Sequence, residues 1–216
     1  VLYTDVSMRR LPQTCEQLVL NPSFEDGTTA FWQPDERKYA LYDIKSPGAD
    51  GSQYAVHFSH ISSRSRVLQY SLDTRCFVAG QKYRISAKFQ FLNITSGAGL
   101  PCDLNDKDSR SEHICPRVRL YGKGCTFDTS DTVDNFFWNG LQFEDGEPYV
   151  WRPDAFNNWR RTFTVTPKLA SCTSVRLMLG YSLAYDRILA LDDVQLSQST
   201  TFPPTGAPTY APTKPK

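Results

Sequence analysis

From Tyr83 to Phe91 the chain reads Tyr-Arg-Ile-Ser-Ala-Lys-Phe-Gln-Phe, with apolar and polar residues alternating at a period of two. Successive side chains of an extended strand point to opposite faces, so this period marks a strand with one face buried and one wet. Arg117 to Tyr121 repeats the pattern, with Val118 and Leu120 on the buried side. The runs 160–165 and 174–179 continue it, as does the set Asp192, Val194 and Leu196. Turn-forming residues punctuate the runs: Asn21-Pro22, Pro47-Gly48 and Ala79-Gly80. No stretch of useful length carries a helical period with caps. Many short alternating strands without helices predict an all-β fold, an antiparallel β-sandwich.

Two stretches break the alternation. Residues 97–116 are polar and bracketed by Cys102 and Cys115, and residues 125–158 mix acids with aromatics. Both read as insertions between strands, and inserted loops carry function more often than scaffolds do. Residues 1–16 form a lead-in and 17–198 the sandwich. From about Ser199 the composition changes to TTFPPTGAPTYAPTKPK, with Pro-Thr at Pro204, Pro208 and Pro212. Such a segment has too little apolar surface to offset the entropy of ordering, so residues 199–216 are expected to be a disordered, semi-stiff spacer to further domains of the same polypeptide. The opening Val-Leu-Tyr-Thr-Asp lacks the form of a signal peptide, and the chain is read as a processed or excised fragment.

The formal net charge is +1 over 216 residues, which gives no pull toward nucleic acid. No apolar run approaches the length of about 18 residues that a membrane helix needs. Six cysteines, at 15, 76, 102, 115, 125 and 172, contain no Cys-x-x-Cys pair, and the three histidines complete no zinc pattern. Disulfides in an oxidising compartment follow, hence a secreted or cell-surface location. Asn93-Ile94-Thr95 is a glycosylation triplet and agrees with this. The short spacing of Cys102 and Cys115 marks a local bridge. Cys76 and Cys172 each precede an inferred strand and are paired second, which leaves Cys15 with Cys125.

Several motifs fall in a fixed order: Leu18-Val19-Leu20-Asn21-Pro22-Ser23-Phe24-Glu25-Asp26-Gly27 with Trp32, then Gly51-Ser52-Gln53-Tyr54-Ala55-Val56. Ala79-Gly80-Gln81-Lys82-Tyr83-Arg84-Ile85-Ser86-Ala87 follows, then Asn158-Trp159-Arg160-Arg161-Thr162-Phe163-Thr164-Val165, and finally Leu191-Asp192-Asp193-Val194-Gln195-Leu196. In that order the chain resembles the CenC-like carbohydrate-binding modules, the group of families four, nine and twenty-two. The resemblance covers about 17–197 and implies a jelly-roll sandwich of galactose-binding-like fold. It also implies a structural calcium ion and a glycan site on the concave sheet or its bordering loops. Modules of this kind ride on glycoside hydrolases or cell-surface proteins.

The calcium has a physical reading of its own. By parity Asp192 sides with Val194 and Leu196, so it faces the core, where a carboxylate must be paired or bound to a metal. Glu25, after Phe24, stands where the family places its other carboxylate ligand, and the turn around Gly51 would supply carbonyls. Hard oxygens suit Ca²⁺. The alternative is that Asp192 hydrogen-bonds nearby loop backbone.

Sugars pack their C–H faces on aromatic rings and need polar groups for their hydroxyls. Trp32, Tyr83, Trp159, Phe24, Phe89 and Phe163 read as core. Trp138, Tyr149 and Trp151, in the second insertion, form the candidate platform, against the alternative of a hydrophobic cluster anchoring a long loop. On the sheet, Lys88, Gln90, Arg117, Arg119 and Tyr121 hold the polar parity and would line the concave face. Arginine's bidentate geometry suits uronate or sulfate groups. No catalytic motif appears. The sequence therefore predicts a non-catalytic module binding a poly- or oligosaccharide, with a structural or adhesion domain that contacts proteins as the alternative.

Overall fold

The computed structural model describes residues 14–34, 41–59, 66–102, 115–126, 134–135, 151–181 and 187–199. Ten strands run through them: β1 (Gln33–Pro34), β2 (Leu41–Lys45), β3 (Ala55–Ser59), β4 (Arg66–Leu72), β5 (Lys82–Asn93), β6 (Arg117–Lys123), β7 (Asp134–Asn135), β8 (Asn157–Thr164), β9 (Ser174–Tyr181) and β10 (Arg187–Gln198). One short helix, α1 (Pro167–Ala170), is capped by the Thr166 side chain, which accepts from Leu169 N. The strands form two five-stranded sheets, ordered β1-β4-β9-β6-β7 and β2-β3-β10-β5-β8, with antiparallel pairing throughout. The expected antiparallel β-sandwich is the observed fold.

The period-two runs supply the core as read. Tyr83, Ile85, Ala87, Phe89 and Phe91 of β5 face Val118 and Leu120 of β6 and Val175, Leu177, Leu179 and Tyr181 of β9 within one hydrophobic cluster. The valine, leucine, isoleucine and phenylalanine side chains among them each contribute about 1.5–3 kcal/mol when fully buried. Trp159, Trp32 and Phe24 are also buried, Trp32 lying edge-on to Tyr70 with centroids 5.0 Å apart. The Tyr70 hydroxyl accepts from Leu20 N at 2.8 Å, tying the segment 18–22 to β4.

The last long strand departs from the sequence reading. Leu189 and Leu191 of β10 pair with Phe91 and Phe89 and share their inward parity, which places Asp192, opposite Lys88, on the outward side. A bulge between Asp192 and Gln195, with Asp193 at φ 46°, then shifts the register, so that Leu196 meets Ile85 and faces the core. Asp192 therefore does not share parity with Val194 and Leu196, because an extra residue in a bulge reverses the alternation. The bulge also changes β10's neighbour. Before it the strand pairs with β3, and beyond it the segment 18–22 bonds to it through Leu18 N–Leu196 O and Val194 N–Pro22 O.

Three disulfides join Cys15 to Cys76, Cys102 to Cys115 and Cys125 to Cys172. The local bridge is the expected one. The pairings Cys76–Cys172 and Cys15–Cys125 are corrected, because Cys76 opens toward the lead-in while Cys172, beyond α1, meets Cys125 just past β6. Position along a strand does not tell which chain end lies opposite.

Candidate functional site

The turn between β2 and β3 is gripped by two carboxylates that are far apart in sequence. Asp192 accepts from Ala49 N (2.7 Å), Ser52 Oγ (2.5 Å) and Asp193 N (2.6 Å) and is wholly buried beneath the turn. Glu25, exposed, accepts from Gln53 N (3.0 Å) and Tyr54 N (3.2 Å). Burial pushes the Asp192 carboxyl up, against the hydrogen bonds from Ser52, Ala49 and Asp193 that favour its charged form. The turn needs its glycines: Gly51 has φ 90°, and a side chain at Gly48 would run into the Tyr54 carbonyl and Ser52 Oγ.

These carboxylates are the expected calcium ligands. The donors fit by type, two hard carboxylates on one turn, and a cation there would compete with N–H groups for their oxygens. Among the described residues no group of three or more acidic, histidine or cysteine ligands comes together.

The five polar positions assigned to a single concave face are divided between the two sheets. Lys88 and Gln90 lie on β5, whereas Arg117, Arg119 and Tyr121 lie on β6. The inward residues of both strands meet in the same core, so their outward residues face opposite ways. One face cannot hold all five. Gln90 is further committed: its amide donates to Pro153 O at 3.0 Å, pinning the chain that leads into β8.

On the outward face of the first sheet, Arg119 Nη1 donates to the Tyr121 hydroxyl at 2.9 Å, and both residues are half-buried. The β6–β9 register sets Arg119 beside Met178 and Tyr121 beside exposed Arg176, with Ser71 of β4 on Arg176's other side. Arg176 escaped the sequence reading, although its parity between Val175 and Leu177 marks it as outward. Arg117 joins this strand through its backbone, and its side chain lies outside the described set.

Trp151 is not an exposed platform. It is half-buried against the core, its ring 5.5 Å from that of Phe91, and its indole N–H donates to Leu100 O at 2.9 Å. It fastens the two insertions to each other, which is the anchoring alternative. Trp138 and Tyr149 lie outside the described residues. Asn93, at the end of β5, uses its side-chain oxygen to accept from Thr95 N and Ser96 N, both at 2.9 Å, which shapes a tight exposed turn.

On the second sheet's outward face, Lys88 Nζ lies 2.9 Å from Asp193 Oδ2 and 3.2 Å from Asp50 Oδ2. Burial lowers the ammonium's affinity for its proton, but the two carboxylates outweigh it and hold the Lys88 pKa above the ordinary lysine value.

No family model matches the chain, and no curated protein matches it in sequence. Solved structures do share its architecture. The C-terminal family 22 carbohydrate binding module of Clostridium thermocellum Xyn10B superposes with a TM-score of 0.56 at 11% identity, over 88% of this chain and 99% of that one. The CBM22-2 xylan-binding domain from Paenibacillus barcinonensis Xyn10C gives 0.52 at 13% identity, over 82% and 98%. The tandem CBM22-1-CBM22-2 domain of the same protein gives 0.55 at 13% identity over 92% of this chain, which spans 49% of the tandem's length. At such identities the likeness is one of architecture: this chain has the β-sandwich fold of the family 22 carbohydrate-binding modules.

Proposed function

We propose that the protein is a non-catalytic carbohydrate-binding module of a secreted or cell-surface modular protein, and that it binds a poly- or oligosaccharide on the outward face of the first sheet. The observation that carries this reading is Tyr121, half-buried on that face with its hydroxyl held 2.9 Å from the Arg119 guanidinium. A ring fixed by a neighbour offers a sugar its flat face at little entropic cost, while arginine and serine groups beside it meet the hydroxyls. Arg176 and Ser71, adjacent in register, extend the polar surface along the strands. The fold shared with modules named for xylan binding supports the same reading. The three disulfides support an oxidising, extracellular setting.

A glycan array with the recombinant chain, run beside Tyr121→Ala, tests it. Binding by the wild type that Tyr121→Ala abolishes, with a melting temperature lowered by only about 2–4 °C, is the expected result. Silence of the wild type toward every glycan would favour the structural or adhesion reading.

Calcium belongs to the same proposal. Glu25 and Asp192 would hold the ion with a carbonyl of the Gly51 turn. Its contribution would be to stiffen that turn, since a ligand of the native state stabilises it by mass action.

A further inference from the structure

The second sheet's outward face carries a depression of about 540 Å³, and six polar side chains line it. Ser86 and Lys88 of β5 stand opposite Arg160 and Asn158 of β8, so two cross-strand pairs make its floor. The wall is built from elsewhere in the chain. Asp193 reaches in from the β10 bulge and Asp50 from the β2–β3 turn, and both meet the Lys88 ammonium, at 2.9 and 3.2 Å. Asp193 is fixed a second time by Gln195 Nε2 at 2.6 Å. Each of the two aspartates sits at a left-handed backbone position, φ 49° and 46°.

The chemistry of the lining narrows the ligand. Two carboxylates and two cations share one small concavity, so their charges cancel locally and nothing there selects a net ion. Two of the three lysine donors are engaged by carboxylates, which makes Lys88 a poor grip for an anion. What the cluster offers is acceptors and donors side by side: carboxylate oxygens, an amide, a hydroxyl and a guanidinium. A neutral polyol, each of whose hydroxyls both donates and accepts, matches that alternation. Trp159 lies under the depression but is only 2% exposed, so among the described residues that line it no ring is available for stacking. The flat faces of an extended chain therefore find no platform. The volume falls within the range of about 300–1,000 Å³ typical of small-ligand sites.

We propose that this depression is a second, independent saccharide site that takes a single neutral sugar residue through vicinal hydroxyls, on the sandwich face opposite Tyr121. Asp193 and Asp50 accept from the sugar hydroxyls, and Asn158 and Arg160 donate to them. The affinity is low for lack of stacking, and because the two sites lie on opposite faces each engages its own sugar. It goes beyond the Tyr121 reading and does not depend on it.

The probes are the methyl glycosides of xylose, galactose, glucose and mannose, titrated at millimolar concentration and followed by amide chemical shifts. One of them is expected to move the amides of Ser86, Lys88, Asn158 and Asp193, in the wild type and equally in Tyr121→Ala. Asn158→Ala, at an exposed strand position, is expected to weaken that binding about tenfold, the loss of one such hydrogen bond. Asp50→Asn, on the exposed turn, serves as the second variant and is expected to weaken it as well. The proposal is overturned if no glycoside moves these amides, if only Tyr121 and its neighbours respond, or if both variants titrate like the wild type. Response at the depression without response at Tyr121 would retain this site and reject the other.

Discussion

Asp192 stands directly opposite Lys88 across the β10–β5 ladder, yet the Lys88 ammonium pairs with Asp193, one residue further on. The bulge is the cause. It turns Asp192 under the β2–β3 turn, where backbone N–H groups and a serine hydroxyl receive it, and leaves Asp193 at the surface to meet the lysine. Two adjacent carboxylates thus do different work, one organising a turn and the other lining a depression.

Removing the buried carboxylate is expected to be costly. Asp192→Ala strands Ala49 N and Asp193 N without their acceptor and leaves the Ser52 hydroxyl the 3.3 Å contact to Tyr54 O. At about 1–3 kcal/mol for each donor left unsatisfied, partly relieved by water, the expected loss is about 4 kcal/mol by urea denaturation. Glu25→Ala, on the exposed side of the same turn, is expected to lose less. An Asp192→Ala loss below about 0.5 kcal/mol, the range of ordinary surface changes, would show that the turn does not depend on it.

His57 gives the fold a pH dependence near neutrality. It faces outward on β3, opposite Asp43 of β2 and Ala190 of β10. Burial pushes its pKa below the ordinary 6.5, the Lys45 charge pushes the same way, and Asp43, itself ion-paired with Lys45, opposes them. The unfolded chain therefore binds the proton more readily than the folded one. The contribution is full above 6.5 and is lost as pH falls through that value toward the lowered one. Melting temperature should fall over this window in the wild type and less steeply in His57→Gln. Asp43→Asn should steepen it. Parallel profiles for wild type and His57→Gln would refute this account.

Period two identified which residues of β5, β6, β8 and β9 face the core, because alternation is a property of a single strand. It could not say which sheet a strand joins, so Lys88 and Arg119 looked like neighbours although they face opposite ways. The Asp192 parity failed for a related reason. A bulge is an event in a pairing, and nothing within Leu-Asp-Asp-Val-Gln-Leu marks the extra residue. Trp151 stands outside any alternating run, and only its bond to Leu100 and its packing on Phe91 reveal it as an anchor. The motif order carried the fold across these local errors, since five turns and strand ends in sequence constrain topology more than any one strand does.

The disulfide scheme makes a quantitative expectation. The bridges Cys15–Cys76, Cys102–Cys115 and Cys125–Cys172 span 61, 13 and 47 residues. Loop-closure entropy puts them at about 4, 3 and 4 kcal/mol respectively. Replacing Cys15 and Cys76 by serine should therefore cost more than replacing Cys102 and Cys115. Non-reducing peptide mapping checks the connectivity, and a peptide linking Cys76 to Cys172 would contradict it.

Calcium can be tested through stability alone. If Glu25 and Asp192 hold the ion, thermal melting in excess Ca²⁺ should exceed that in EDTA by several degrees, because a ligand at about 100 times its Kd adds about 2.7 kcal/mol. Glu25→Gln, which keeps the side chain's size, should shrink the difference. Identical melting curves in both buffers would leave the turn to hydrogen bonds only.

Tyr121 and Trp151 separate binding from packing. Trp151 lies against Phe91 and closes a hydrogen bond to Leu100, so Trp151→Ala opens a gap beside the core and frees both insertions. Fully buried tryptophans cost about 3–5 kcal/mol on truncation, and this half-buried one should fall near about 3 kcal/mol. Tyr121 sits on the outward face, where among the described residues its hydroxyl bonds Arg119, so Tyr121→Ala should cost about 1 kcal/mol, the worth of one hydrogen bond. Glycan binding should respond in the reverse order. Tyr121→Ala should abolish it, and Trp151→Ala, measured well below its melting temperature, should retain it. Were Trp151→Ala to lose binding while melting like the wild type, the platform would lie at the insertions and the sheet face would be a scaffold.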